Sequence, residues 1–447
     1  MGNKRVKRRI KRKVLMLLLA FILILGALAC GVSFYKYRNF DINELSVKKI
    51  NYEDKVFKIK VSDYYGDIKC GISRNNGKIN WIYMNNSTCK YKITKYGNYN
   101  IYFKNKKGIK KIEDINELFY LSLKKKKYYI AVGDSKRISY KFVSVGNKPV
   151  FNSSDKSVAY VKDGILYAKK SGKAEITIQD KKISVVATDL IDKMPKQYNY
   201  NRPYLYCNAF TQNEAKLLDE ILFARVKEAG EGTRGGVVAA ARFLTLEFPY
   251  RISYFSENGR LGPPYYMVVD GEGRYYHKGL YLSADKFKDI SPTYKGPATW
   301  GCSIYSKPSK GQRNNGLDCS GFTTWVVLNG GFDIGDLPAY SGSSSADTLN
   351  AIGKEVKLTE EVALSNKIKP GDLLGEVSVS EGHSAIVIGM DKDNYYVAES
   401  LWISPLGVNV NTYKKSELDN NFETVNLMDS YYKKEGHYTN MWWYLEC

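Results

Sequence analysis

The chain has 447 residues, more than a single ordinary core of about 100 to 200 residues accommodates, so two or three domains are expected. A hydrophobic content of 44% with 13% aromatics excludes wholesale disorder, and 37 tyrosines against 17 phenylalanines favour β-rich, half-exposed surfaces. Lys and Arg number 68 against 46 Asp and Glu, an excess that calls for a membrane surface, an anionic polymer or nucleic acid as neighbour. Without a helix-turn-helix, zinc or glycine-rich phosphate signature, nucleic acid is set aside.

The first element is an anchor. Eight basic residues between Lys4 and Lys13 precede the charge-free apolar run Val14 to Phe34, which is long enough to span a bilayer. Basic residues stay on the cytoplasmic side, so residues 1–38 read as a cytoplasmic basic segment and single-pass helix, with the bulk of the chain outside the cell membrane. The run offers no clear A-x-A site, which favours a retained anchor over a cleaved signal peptide. Ala27-Leu28-Ala29-Cys30 is similar to a lipoprotein cleavage box with Ala where Leu usually stands, so lipidation of Cys30 stays open.

Seven cysteines are few for a disulfide scaffold, but an exported chain forms single bridges. Cys70 and Cys89 flank a turn-rich stretch containing Asn75-Asn76-Gly77 and are the expected pair. Cys207, Cys302, Cys319 and Cys447 lack C-x-x-C spacing, so neither zinc nor another cofactor is indicated.

Residues 39–121 show short alternating apolar runs, such as Val56 to Val61 and Tyr99 to Phe103, and are expected to form a small antiparallel β domain. Strands are then expected near 136–143, 158–161, 165–168 and 174–178. The residues Val132-Gly133-Asp134, Asn152-Ser153-Ser154-Asp155-Lys156-Ser157-Val158-Ala159, Asp163-Gly164-Ile165-Leu166 and Ala168 to Ala174 resemble a group 2 bacterial immunoglobulin-like domain over 122–190. That resemblance implies a β-sandwich serving as spacer or wall-contacting module.

After Met194-Pro195 the pattern turns helical. Thr211-Gln212-Asn213-Glu214 is a capping box ahead of Leu217, Leu218, Ile221, Leu222 and Val226 on one helical face. A second helical run, 236–246, is ended by Pro249.

The strongest local signal is Gly316-Leu317-Asp318-Cys319-Ser320-Gly321-Phe322, which opens an apolar helical run. A cysteine in the first turn of a helix sits among orphan N–H groups at the positive dipole end, a placement that suits a nucleophile. A base is then required, and the chain has three histidines. His383 stands at the entry of an alternating strand, Glu381 to Gly389, whereas His277 and His437 read as exposed loop residues. After a turn at 391–394 comes the strand Tyr395 to Ser400. Antiparallel pairing of the two strands brings Glu399 beside His383 as the acceptor that orients the imidazole, with Ser400 and Asn394 as alternatives.

Together these residues resemble the NlpC family of peptidoglycan endopeptidases, of the papain-like superfamily. The family pattern is a helix ending in Pro-Tyr, Asp-Cys-Ser-Gly opening a helix, a Lys-Pro-Gly-Asp-Leu turn, a Gly-His strand and a polar residue on the next strand. Here it is matched by Pro249-Tyr250, Asp318-Cys319-Ser320-Gly321, Lys369-Pro370-Gly371-Asp372-Leu373, Gly382-His383 and Glu399. The resemblance implies an α+β papain-like catalytic domain over 191–447, preceded by the all-β domains and the transmembrane helix. It implies Cys319 as nucleophile, His383 as base and Glu399 as orienter, with Tyr250, Asp318 and Ser320 toward the substrate. The implied activity is hydrolysis of amide bonds in peptidoglycan stem peptides through an acyl-enzyme, usually at D-γ-glutamyl bonds to the diamino acid, with an amidase as variant.

Three departures stand out. Glu399 occupies a position where the family often has His. An apparent insertion, 254–315, separates Tyr250 from Cys319. Pro297-Ala298-Thr299-Trp300-Gly301 is similar to the family's Pro-Tyr-x-Trp-Gly-Gly but has Ala298 for Tyr, which leaves the equivalence of Tyr250 open. Two other functions remain alternatives: a catalytically idle wall-binding or adhesive protein, and an acyl or peptidyl transferase using the same cleft. The expected partners are stem peptides and the cytoplasmic membrane, for a monomeric chain at the cell wall.

Overall fold

A computed structural model describes residues 2–443 except 54–55, 63, 65, 85–86, 93–97, 116–118, 145–147, 180, 255–277, 283–289, 294–295, 308–310, 314–315, 334–352, 378–381 and 405. The chain divides into two compact units. The first comprises Met1–Lys126, Ile138–Asn152 and Thr177–Ile183, and the second Lys127–Arg137, Ser153–Ile176 and Ser184–Cys447.

The first unit begins with helix α1, Gly2–Asn39, whose stretch Lys13–Lys36 is long and apolar enough to cross a membrane. Its leucines stand exposed, a state that water does not tolerate over such a length and that a signal or anchor in lipid requires. An antiparallel three-stranded sheet follows, in the order Val47–Glu53, Val56–Val61, Thr88–Lys92. A four-stranded antiparallel sheet has the order Asn80–Tyr83, Lys69–Arg74, Tyr99–Lys104, Ile109–Ile115. Alternation sets the burial: Phe57, Ile59 and Val61 point into the core while Lys58 and Lys60 face out. The expected disulfide Cys70–Cys89 is present and ties a strand of one sheet to a strand of the other. Such a bridge needs an oxidising compartment, in keeping with an extracytoplasmic location.

In the second unit, Ser135–Arg137, Ile165–Ala168 and Ala159–Lys162 form a three-stranded antiparallel sheet in that order, and residues 184–188 pair in parallel with Lys127–Ala131. The single strand expected over 136–143 is two strands, Ser135–Arg137 and Tyr140–Ser144. The chain leaves its sheet at Ile138-Ser139, where the Ile138 side chain turns into the core and Tyr140–Ser144 takes Phe119–Leu123 as partner. Alternation continues smoothly across the break, so the sequence pattern carried no sign of the change.

Helix α2, Gln212–Ala229, starts at the expected capping box: the Thr211 hydroxyl accepts from Glu214 N–H and the Glu214 carboxylate accepts from Thr211 N–H. Its face of Leu218, Ile221, Leu222 and Val226 is buried. Helix α3, Arg234–Arg242, runs into one π-helical turn, Phe243–Glu247, and stops before Pro249. The carbonyls freed at this end are met by the buried Arg202 guanidinium, which donates to Thr245, Leu246 and Phe248 oxygens. Helix α4, Cys319–Asn329, is apolar nearly all round and correspondingly buried on every side.

Against these helices lies a six-stranded antiparallel sheet of β1 (Lys354–Lys357), β2 (Leu373–Val377), β3 (Gly382–Met390), β4 (Asn394–Leu401), β5 (Gly407–Lys414) and β6 (Thr424–Leu427), in the order β1-β6-β2-β3-β4-β5. Period-2 alternation splits its residues between two cores. Ile386, Ile388, Ala398, Val408 and Val410 pack with Phe322, Trp325 and the other helical residues. Ala385, Val387, Tyr395 and Val397 pack with Leu418, Phe422 and Val425 on the other face. The turn ahead of β2 is pinned at Gly371, whose φ of +96° favours glycine, and at Asp372, which accepts from Lys369 N–H and pairs with Arg234 of α3 at 2.7 Å.

The stretch 254–315 is described in part. Tyr281–Leu282 pairs with Ala298–Thr299, and Ile290–Pro292, Ile304–Ser306 and Gly311–Arg313 make a small sheet. Trp300 is fully buried, and a second disulfide, Cys207–Cys302, fastens this stretch to the segment preceding α2. In chain order the protein is thus an apolar helix, several β-sheets of sandwich type and a helix-containing α+β region.

Candidate active site

Asp318 is the N-cap of α4: its carboxylate accepts from Gly321 N–H at 2.7 Å and from the Ser320 hydroxyl at 3.3 Å. The cap fixes the first turn and with it Cys319, a residue 4% exposed and unbridged. The segment entering the helix is held on both sides, because Leu317 N–H donates to Ser253 O and Leu317 O accepts from the Ser400 hydroxyl on β4. One turn further on, the Thr323 and Ser384 hydroxyls meet at 2.9 Å and join α4 to β3. The Cys319 Sγ then lies 3.9 Å from Gly382 O, beside the residue that precedes His383.

Strands β3 and β4 are antiparallel with Ala385 opposite Glu399, so His383 and Glu399 are diagonal neighbours on one face of the sheet. His383 Nε2 lies 2.7 Å from Glu399 Oε2, with the His383 side chain 16% exposed and that of Glu399 1%. The Phe422 ring stacks on the imidazole at 6.1 Å between centroids. Burial works against the charged imidazole, but hydrogen bonding to Cys319 and Glu399, with the charges of both, outweighs it and raises the His383 pKa from 6.5 to about 10. Since Nε2 is engaged by the carboxylate, Nδ1 is the nitrogen left for the thiol, an assignment made from the hydrogen-bond pattern.

Glu399 makes two further bonds. Its Oε1 accepts from Asn411 Nδ2 at 2.9 Å and from the Tyr413 hydroxyl at 2.7 Å, both on β5. Neither residue was singled out in the sequence. The signal was there in part: Asn409, Asn411 and Tyr413 alternate along β5 and so share a face of the strand next to Glu399.

The other residues named from the sequence are placed as follows. Asp318 and Ser320 are buried within the helix cap. Tyr250 packs its ring against Tyr206, Phe210 and Phe248. Ser400 is engaged with Leu317, and Asn394 closes the β3–β4 turn on Asp391, so Glu399 is the acceptor at His383. His437 is exposed, and His277 lies outside the described residues. Chemically, a thiol at a helix start, an imidazole and a carboxylate in this order can move a proton from sulfur to nitrogen and stabilise the resulting imidazolium.

No protein-family model matches the sequence, and no curated protein matches it. Among solved structures, the chain aligns with the C-terminal 282-residue fragment of intimin in complex with the intimin-binding domain of the translocated intimin receptor. The identity is 15% over 40% of this chain and 79% of that one, with a TM-score of 0.17. It aligns with fibronectin(III)-like modules of Clostridium thermocellum CbhA at 10% identity over 32% and 94% of the two chains, TM-score 0.14. It also aligns with immunoglobulin domains 1–4 of Sidekick-1 at 9% identity over 32% and 47%, TM-score 0.15. These are distant likenesses to immunoglobulin-like and fibronectin-like modules, which at such TM-scores carry no argument, and none bears on Cys319, His383 and Glu399.

Proposed function

We propose that the chain is a membrane-anchored cysteine peptidase that acts outside the cell on amide bonds of peptidoglycan stem peptides. The observation that carries this reading is the Cys319, His383, Glu399 arrangement: a thiol at the start of a buried helix, facing an imidazole hydrogen-bonded at 2.7 Å to a buried carboxylate. In this reading the Cys319 proton passes to His383 Nδ1, the sulfur attacks the substrate carbonyl, and the oxyanion meets N–H groups at the start of α4. His383 then gives the proton to the departing amine. Water, deprotonated by the same imidazole, releases the acyl group from Cys319.

The order of the Asp-Cys-Ser-Gly, Lys-Pro-Gly-Asp-Leu and Gly-His elements supports an NlpC-like peptidase domain. The β modules between anchor and peptidase serve as spacers, with the immunoglobulin-like reading resting on the motifs of 132–174. The anchor runs amino end inward, on the strength of the basic cluster Lys4 to Lys13. Incubating purified peptidoglycan with the full chain in detergent tests the reading. New stem-peptide fragments identified by mass support it, and a wall left intact under conditions where the chain is folded speaks against it.

A further inference from the structure

A buried carboxylate next to a charged imidazole is tolerated when its remaining lone pairs are also satisfied, and a half-satisfied network is worse than an apolar one. Glu399 is held in this way: β4 carries it, His383 of β3 takes one oxygen, and Asn411 and Tyr413 of β5 both donate to the other. Side chains two apart on β5 share a face, so one strand delivers both donors to one carboxylate oxygen.

The geometry points to Asn411 and Tyr413 as positioning residues that fix the Glu399 carboxylate with one oxygen occupied and the other turned toward His383. Their hydrogen bonds go to Glu399, and they act through it. Phe422 completes the frame, stacked on His383 and edge-on to Tyr413 at 5.3 Å. The role deepens the proposed peptidase reading, in which Glu399 orients the base, while the geometry of the carboxylate stands independently of it.

The consequence appears in the charge of His383. Its other ionisable neighbours are Cys319 at the start of α4 and Glu376 opposite it on β2, while Tyr200 adjoins Glu399 and Tyr413. Removing the Tyr413 hydroxyl frees the carboxylate to turn or to take up a proton itself. In either case the imidazolium loses its fixed partner, and the His383 titration moves down. The hydroxyl of Tyr413 is itself held protonated well above the ordinary phenol range, first by burial and then by the Glu399 charge, so it remains a donor throughout.

The experiment is a titration of ring-labelled histidine in the full chain in detergent. The chain has three histidines, so His383→Gln identifies the signal. Tyr413→Phe should lower the His383 midpoint by about one pH unit or more, a tenfold rise in its acid dissociation constant. Asn411→Ala combined with Tyr413→Phe should lower it further. The control is Tyr395→Phe, which removes a buried hydroxyl bonded to Ala363 O in the same sheet and should leave the midpoint in place. Should Tyr413→Phe not fold, Asn411→Ser supplies the same readout. A double variant that is folded and titrates as wild type overturns the proposal, as does an equal shift in Tyr395→Phe. The titration uses no wall substrate, so a chain that shows these shifts but leaves peptidoglycan uncut upholds the positioning role and overturns the peptidase reading alone.

Discussion

His383 Nε2 and Glu399 Oε2 are 2.7 Å apart because two antiparallel strands are in the register that places Ala385 opposite Glu399. A shift of one residue would send Glu399 to the helical face of the sheet and leave the imidazole without its acceptor. The pair therefore reports on both the fold and the chemistry.

Glu399→Gln keeps the shape of the acceptor but loses its charge, and Glu399→Ala loses both. Turnover should fall in the order wild type, Gln, Ala, with the Ala variant down by on the order of 10²- to 10⁴-fold. Initial rates on purified peptidoglycan at equal folded amounts check the order, and an Ala variant as fast as wild type would make Glu399 a bystander.

The raised pKa of His383 also ties stability to pH. The group is charged more readily folded than unfolded, so its contribution is present in full below about 6.5, the ordinary value, and is lost as pH rises through about 10. Urea midpoints should decline across this window in wild type. The decline should be shallower in His383→Gln, and parallel curves for the two proteins would contradict the assignment.

Arg234 and Asp372 form an ion pair with both side chains 1% exposed, joining α3 to the turn ahead of β2. Arg234→Ala leaves a buried carboxylate uncompensated and should cost about 3–5 kcal/mol of stability, whereas Arg234→Ala with Asp372→Ala should cost less than the sum of the single changes. Urea unfolding of the four proteins measures the difference, and strict additivity would show that the pair is not coupled.

Topology follows from the amino-terminal charge. A reporter joined after residue 447 should read outside the membrane and one joined before residue 1 inside. Protease added to cells stripped of their wall should remove the bulk of the chain, and protection of that bulk would reverse the orientation.

Much of the candidate site was legible because its residue types are scarce or well punctuated. Three histidines left few choices of base, a Thr211 to Glu214 capping box announced α2, and alternation around a four-residue turn set β3 against β4. What stayed hidden was contact between distant segments. Cys207 and Cys302 stand 95 residues apart, and no local pattern pairs them. Arg202 meets the end of α3 from a segment more than 40 residues earlier in the chain, and no local pattern announces it. Asn411 and Tyr413 belong visibly to one face of a strand, but which carboxylate they meet depends on the register with β4. The exchange of sheets at Ile138 was invisible for the opposite reason, since alternation runs through it unbroken.

The central claim is that Cys319 is a nucleophile worked by His383. It is tested most directly by comparing Cys319→Ala, His383→Ala and wild type, at equal folded amounts, for release of stem-peptide fragments from purified peptidoglycan. Nucleophile and base act as one unit, so each substitution alone should reduce the rate at least about a thousandfold, and the double variant should be no slower than either. Wild-type rates in Cys319→Ala, or no fragments from the wild-type chain, would contradict it.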